Sequence, residues 1–165
     1  MVVMQEKEEF LKIRFIPLLR QIPTETQPRW GKMTLQQMVE HFADFTRIAS
    51  GKTLYAEIIT PPENLDKMRA FLESEKPFRE NTPNSLMPEV PAPVRNPSAE
   101  SAVNELQKEL DFFFRVFEEN NLQVTRNPFF GDLNYEQNIQ LLHKHALHHL
   151  RQFGVSPLPG SLSSA

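Results

Sequence analysis

Four stretches of the chain place apolar residues three or four positions apart among polar ones, which is the pattern of an amphipathic helix. The first stretch covers about residues 5–22 and contains Pro17, where we expect a kink or an end of the helix. The second begins at Thr34, which has Gln37 at capping-box spacing, and stops at Gly51. The pattern therefore predicts two helices in the N-terminal third of the chain.

The other two helical stretches lie in the C-terminal half. Ser98 is the expected N-cap of the third helix, whose apolar positions continue to about Asn120. The fourth helix opens at Asn134, with Gln137 again at capping-box spacing, and ends at Gly154. No stretch alternates convincingly between apolar and polar residues, as a strand would. The predicted fold is an all-α bundle of four helices.

Prolines dominate the connection between the second and third helices. Residues 61–97 contain eight of the chain's 14 prolines, so we expect a long crossover with no more than a helical turn or two near residues 63–72. Connections of that length usually cover a site or wrap a surface. Two interpretations remain open, a lid over a site and an ordered strap across the bundle. Residues 155–165 are predicted to be a flexible tail, which leaves residues 1–154 as a single domain.

Composition narrows the classes of function. The chain has 165 residues, which suits one domain, and a net charge of -3 without the basic excess that nucleic acid or an anionic membrane surface requires. The N-terminus is acidic and no apolar run approaches the ~18 residues of a membrane span, so we expect a soluble, cytoplasmic protein. The absence of cysteine excludes disulfides, thiolate metal ligands and a cysteine nucleophile.

Histidines are the candidate functional residues. Four of the five lie in one seven-residue segment of the fourth helix. At about 100° per residue, His145 and His149 share one flank of that helix's apolar stripe, one turn apart. His143 falls on the opposite flank and His148 on the solvent face. His41 lies at a half-buried edge of the second helix.

Two imidazoles at positions i and i+4 can bind one metal ion if a third ligand comes from a facing helix. His41 is the remaining histidine placed to supply that ligand. The alternative is that all three are hydrogen-bonded core residues, although burying two adjacent neutral imidazoles leaves polar atoms in need of partners. Spacing alone leaves both interpretations open. The zincin pattern does not apply, because Ala146 rather than Glu follows His145.

Three further residues have both a functional and a structural interpretation. Asp44 and Glu40 are each either a carboxylate that orients His41 or a solvated residue on the helix surface. Trp30 either lines a pocket or anchors its loop in the core.

Three motifs together resemble the DinB/YfiT-like superfamily of proposed metalloenzymes, and in particular a subgroup with no assigned function. They are WGKMTLQQMVEHFAD at residues 30–44, NPFFG at 127–131 and HALHHLRQF at 145–153. The resemblance extends over nearly the whole chain, to about Gly154. Many members have Arg-Gly-Gln after the paired histidines, whereas this chain has Leu150, Arg151 and Gln152, so the roles of Arg151 and Gln152 near the site stay open.

The resemblance implies a four-helix bundle of up-down-down-up order with a divalent metal ion held by one histidine of the second helix and two of the last. In this sequence those residues are His41, His145 and His149, the same three that the helical projection selects. Zinc or nickel is the expected ion, with iron or manganese as alternatives, since three imidazoles do not discriminate strongly among them. Characterised relatives use the metal for hydrolysis or for reactions with low-molecular-weight thiols.

We therefore expect a metal-dependent enzyme, either a hydrolase or a thiol-dependent transferase, that acts on a small molecule. Because the chain has no cysteine, any reacting thiol would be a small cosubstrate. A second hypothesis is a non-catalytic, dimeric helical interaction module with a structural or vestigial metal, and a third is metal-free packing of the histidines. Coordination separates the first two, because a catalytic site keeps an open position and a structural site is closed by a fourth protein ligand. The oligomeric state is open, with a homodimer among the alternatives.

Overall fold

Helices dominate the structure, a computed structural model that describes residues 2–81 and 90–157, with side chains from Met4 onward. In chain order the elements are α1 (Val2–Glu9), a π-helical turn (Phe10–Arg14), α2 (Phe15–Gln21), α3 (Leu35–Ser50), α4 (Pro62–Glu73), α5 (Ala99–Glu119), β1 (Thr125–Asn127), β2 (Gly131–Leu133) and α6 (Tyr135–Gln152). The helical class is confirmed, with a small sheet added. Most of the predicted flexible tail, from residue 158 on, lies outside the described residues.

The first helical region differs from prediction at Pro17. The helix ends at Gln21 rather than at the proline, and its irregularity comes earlier, where the Phe15 N–H donates to the Phe10 carbonyl five residues back. Pro17 then occupies the first turn of α2, where a missing N–H is tolerated. The π-helical turn upstream is what allows the helix to continue through the proline.

The predicted caps are confirmed. Thr34 and Asn134 form complete capping boxes with Gln37 and Gln137, and the Ser98 hydroxyl caps α5. Side-chain oxygens thus satisfy backbone N–H groups that have no partner inside the helix. The caps therefore fix where each helix begins.

A β-hairpin, β1 and β2, occupies the segment where the sequence predicts only a loop. The strands pair antiparallel, with Asn127 opposite Gly131, and the Asn127 side chain accepts hydrogen bonds from the backbone N–H groups of Phe129 and Phe130. Three-residue strands are too short to produce a visible alternation of apolar and polar positions. The prediction of a purely α-helical chain is therefore wrong at this point.

The helix in the proline-rich connection is longer than predicted. α4 has 12 residues, and its two leading prolines are compatible with a helix start, where a backbone N–H is not required. Leu72 of α4 is buried with Phe130, Leu133 and Leu141 in a small second core. This core holds the hairpin and the connection against α6. Residues 82–89 of the connection lie outside the described residues.

The main core lies between α1, α2, α3, α5 and α6. Its largest fully buried side chains include Phe15, Phe42 and Phe113, one from each of α2, α3 and α5. α3 packs most extensively against α5 and also contacts α6. Within residues 2–81 and 90–157, no helix combines the length and apolar character that crossing a bilayer requires.

Candidate metal centre

Three histidine side chains meet where α3 and α6 face each other. The Nε2 atom of His145 lies 2.7 Å from that of His149 and 3.3 Å from that of His41. One ligand atom from each residue lies within 4.8 Å of the others. His145 and His149 are one turn apart on α6, and His41 comes from the second turn of α3. The structure therefore brings together the three residues that the helical projection selects.

Aromatic rings surround this cluster. His145 packs against Phe42, Phe45 and Phe78, at ring-centroid distances of 4.9, 4.3 and 6.0 Å. Phe42 and Phe45 follow His41 on α3, one and four residues along the helix. Phe78 comes from the proline-rich connection, where no periodicity identifies it. His145 and His149 are thus buried in an apolar environment, whereas His41 is half-buried.

Burial keeps the three imidazoles neutral. It lowers the pKa of His41 to about 4, an effect that the charge of Asp44 partly opposes. Burial, and then the neighbouring imidazoles, hold the pKa values of His145 and His149 well below the ordinary 6.5. A metal ligand must offer a nitrogen lone pair. At neutral pH all three side chains are in the form that binds metal.

Gln152 fixes the orientation of one imidazole. Its Oε1 lies 2.7 Å from His149 Nδ1, while its Nε2 donates to the carbonyl of Trp30 at 3.0 Å. Since the oxygen faces the ring, His149 Nδ1 carries the proton and Nε2 is left with its lone pair directed at the cluster. Gln152, whose role the sequence leaves open, therefore acts as the hydrogen-bond partner that metal-binding histidines commonly have.

The cluster passes a test of fit to a divalent ion. Three nitrogens bound to tetrahedral zinc at about 2.0–2.1 Å lie roughly 3.3 Å apart. The His41–His145 distance matches this value, the His145–His149 distance is shorter, and the ligand atoms of His41 and His149 lie within 4.8 Å of each other, so binding an ion would move the rings of His149 and His41. Within the described residues, these three Nε2 atoms have only one another as hydrogen-bond partners. Neutral nitrogens that face each other suit a shared cation.

The two carboxylates next to His41 have other partners. Asp44 is exposed and pairs with Arg47 and Arg95, at 2.7 and 3.1 Å, and acts on His41 only through its charge. Glu40 is buried and accepts hydrogen bonds from the backbone N–H groups of Arg95 and Asn96. The surface interpretation of Asp44 agrees with the structure. Both interpretations of Glu40 are wrong, because this carboxylate fastens the connection to α3.

The remaining histidines lie outside the cluster. His143 is half-buried against Phe10 on the other side of α6. The prediction that His148 lies on the solvent face is wrong, because Trp30 and Phe78 cover it, at centroid distances of 5.3 and 5.8 Å. A helical projection includes no other element, so it cannot include rings contributed by loops. Trp30 accordingly lies beside the histidines and outside the main core.

Comparison of the chain with protein-family models, with curated proteins and with solved structures gives no match.

Proposed function

We propose that the protein is a metal-dependent enzyme of the DinB-like type that acts on a small molecule. The observation that carries the proposal is the convergence of three neutral imidazoles, from His41, His145 and His149, on one point. In the described part of the chain no fourth histidine or carboxylate joins this group. Three protein ligands and an open position are typical of catalytic metal sites.

The proposed reaction is hydrolysis or transfer involving a low-molecular-weight thiol. A divalent ion bound here would act as a Lewis acid, lowering the pKa of a coordinated water or ionising a coordinated thiol. The chain's own contribution is to hold three lone pairs in place, to fix the ring of His149 through Gln152, and to exclude bulk water with phenylalanine rings. The sulfur of a thiol reaction would come from the cosubstrate, as the chain has no cysteine.

The alternative of a dimeric interaction module with a structural metal is less well supported. A structural zinc site is normally closed by four protein ligands. In the described residues this group supplies three ligands, one fewer than a closed structural site needs, so the number of ligands favours the enzyme over the interaction module.

We also propose the up-down-down-up order of a four-helix bundle, in which α1 and α2 count as one helix. Lys7 donates a hydrogen bond to Gln140, and Phe10, three residues later, packs on His143, three residues after Gln140. Contacts in this order support the same direction for the first helical region and α6.

The histidine cluster joins the early part of α3 to the late part of α6, and Thr125 bonds both to Ala49 late in α3 and to Asn138 early in α6. These contacts support opposite directions for the two helices.

Contacts between α3 and α5 support the same order. Glu40 bonds to Asn96 just before α5 begins, and Arg47, seven residues later, pairs with Glu109. The two helices therefore run parallel, as the two central helices of such a bundle must when a long crossover joins them.

Metal analysis of matched variants tests the proposal. The protein is purified without a metal-affinity column, supplied with Zn²⁺ and gel-filtered, and its metal content is then measured. We expect about one ion per chain in the wild type and in His143→Ala, and little in His145→Ala, with far-ultraviolet circular dichroism confirming that each variant folds. An undiminished metal content in a folded His145→Ala variant would contradict the site.

The reaction type needs a separate assay. Metal-loaded protein is tested on a panel of small esters and amides, with and without cysteine as the thiol. Turnover that does not require the thiol indicates a hydrolase, and turnover only with it indicates a transferase. Loss of the activity in His145→Ala and its retention in His143→Ala would assign it to this centre.

A further inference from the structure

Buried polar atoms without a hydrogen-bond partner are concentrated at one place. In the described part of the chain they are His145 Nδ1 and His148 Nδ1. The two residues are three positions apart on α6, and the ring of Phe78 contacts both, at centroid distances of 6.0 and 5.8 Å. Folded proteins pair nearly all buried polar groups, so each exception calls for an explanation. Two exceptions one helical turn apart indicate a place where a molecule outside the chain binds.

His148 is held firmly beside the histidine cluster. Its ring lies 5.1 Å from that of His149, and Trp30 and Phe78 cover it on other sides. A hydrogen bond with the backbone of Phe78 also holds its ring. Both covering rings come from segments outside the helices.

The position of this imidazole is not explained by packing alone. A phenylalanine would fill the same space among Trp30, Phe78 and His149 but would lose the hydrogen bond with the Phe78 backbone, so the feature left unexplained is the unpaired Nδ1. Burying such a nitrogen costs free energy, which a ligand would recover by forming the missing hydrogen bond.

We propose that His148 is a ligand-binding residue, whose Nδ1 forms a hydrogen bond with the small molecule that binds at the His41, His145 and His149 centre. This inference rests on the proposed function in taking the ligand to occupy the open position of the metal. The matching ligand is a small compound with a hydrogen-bonding group next to the atom that it presents to the ion. Amides, carboxylic acids and hydroxamic acids belong to this class.

Binding of acetohydroxamate to Co²⁺-loaded protein, followed by visible absorption, tests the inference. His148→Phe keeps a flat ring and removes both nitrogens, and we expect it to weaken binding about tenfold, the value of one hydrogen bond. His148→Gln keeps a donor and an acceptor and should bind within a few-fold of the wild type. His143→Phe, the same change on the other side of α6, is the matched control and should bind like the wild type.

Two results would overturn the inference: unchanged affinity in His148→Phe, or a loss in His148→Gln as large as that in His148→Phe. The Co²⁺ content of every variant is measured first, so that a lost metal is not taken for a lost ligand contact. If the wild type binds no Co²⁺, the proposed function fails and the inference fails with it, whereas unchanged affinity in Co²⁺-loaded His148→Phe overturns the inference alone.

Discussion

Gln152 connects the imidazole of His149 to the loop that carries Trp30. Replacing Gln152 with alanine removes the acceptor for His149 Nδ1, so the ring can rotate or change tautomer. Hydrogen-bond partners of metal-binding histidines are typically worth 10–100-fold in metal affinity. We therefore expect Gln152→Ala to weaken Zn²⁺ binding by about that factor, measured by competition with a chromogenic chelator.

The matched control is Gln152→Glu. A carboxylate still accepts the proton of His149 Nδ1 but cannot donate to the carbonyl of Trp30. Zn²⁺ affinity close to that of the wild type in Gln152→Glu would assign the effect to the histidine contact. Equal losses in both variants would assign it to the Trp30 contact and contradict the prediction.

The sequence correctly predicts the position of a histidine when that position depends only on the helix that carries it. His41, His145 and His149 meet because periodicity fixes the face of each helix and the capping residues fix its start. His148 could not be predicted, because the rings that cover it belong to residues 30 and 78, which lie in segments without periodicity. Burial of a residue on the outer face of a helix depends on tertiary contacts that the sequence of that helix does not contain.

Among the elements, α3 is joined to the proline-rich connection by one buried carboxylate. Burial disfavours the charge of Glu40, but hydrogen bonds from the backbone of Arg95 and from Asn96 outweigh that effect and keep its pKa below the ordinary value. Glu40→Ala leaves these donors without their acceptor. We expect a loss of about 2 kcal/mol in the free energy of unfolding by urea, and faster amide hydrogen exchange at residues 95 and 96.

Glu57→Ala serves as the control, since Glu57 is an exposed acidic residue in a loop. It should change the free energy of unfolding by less than about 0.5 kcal/mol. Unchanged exchange at residues 95 and 96 in Glu40→Ala would mean that Glu40 does not hold this segment. On the other side of residues 82–89, Lys144 donates to the carbonyls of Ser74 and Lys76. Attachment on both sides favours the strap over the lid, and the exchange measurement tests that interpretation.

A second contact between elements makes stability depend on pH. Burial tends to raise the pKa of Glu105, but the hydrogen bond and charge of Arg95 and the charge of Arg47 lower it below the ordinary 4.5. A carboxyl group whose pKa is lower in the folded state stabilises the fold above the unfolded-state pKa. This contribution is lost as the pH falls through the folded-state value.

The pH dependence can be measured by comparing Glu105→Gln with the wild type. At pH 7 the wild type should be more stable by about 1 kcal/mol, a value typical of a partly exposed ion-pair network. The difference should shrink below pH 4.5 and disappear once Glu105 is protonated in the folded state. Thermal melts from pH 7 to pH 3 measure it. A difference that stays constant over this range would show that the effect does not come from the charge.

At the element scale, local signals account for what the sequence predicts. Thr34, Asn134 and Ser98 mark the helix starts because a capping contact spans only three residues. The β-hairpin, the length of α4 and the π-helical turn before Pro17 depend on contacts with distant parts of the chain. The hairpin and α4, for example, are buried against each other and against Leu141 of α6. Such contacts become visible only in the folded chain.

For the molecule as a whole, the histidine cluster links two helices that lie far apart in the sequence. His41 and His145 are 104 residues apart, and the cluster joins α3 directly to α6. α3 also packs on α5, while α6 contacts α1 and the small second core. An ion held by all three histidines would therefore connect the N-terminal and C-terminal parts of the fold and stabilise the molecule as a unit.

This link predicts a metal-dependent melting temperature. An ion that binds only the folded state stabilises it by about 2.7 kcal/mol when its free concentration is 100 times the dissociation constant. For a chain of this size, each kcal/mol raises Tm by about 2–4 °C, so Zn²⁺ should raise the Tm of the wild type by roughly 5–11 °C, and EDTA should reverse the rise. His143→Ala should respond in the same way, because His143 lies against Phe10 and outside the cluster. His145→Ala should melt at a temperature that Zn²⁺ does not change. A rise of equal size in His145→Ala would mean that the ion acts elsewhere on the surface, since the unfolded chain cannot hold α3 and α6 together around it.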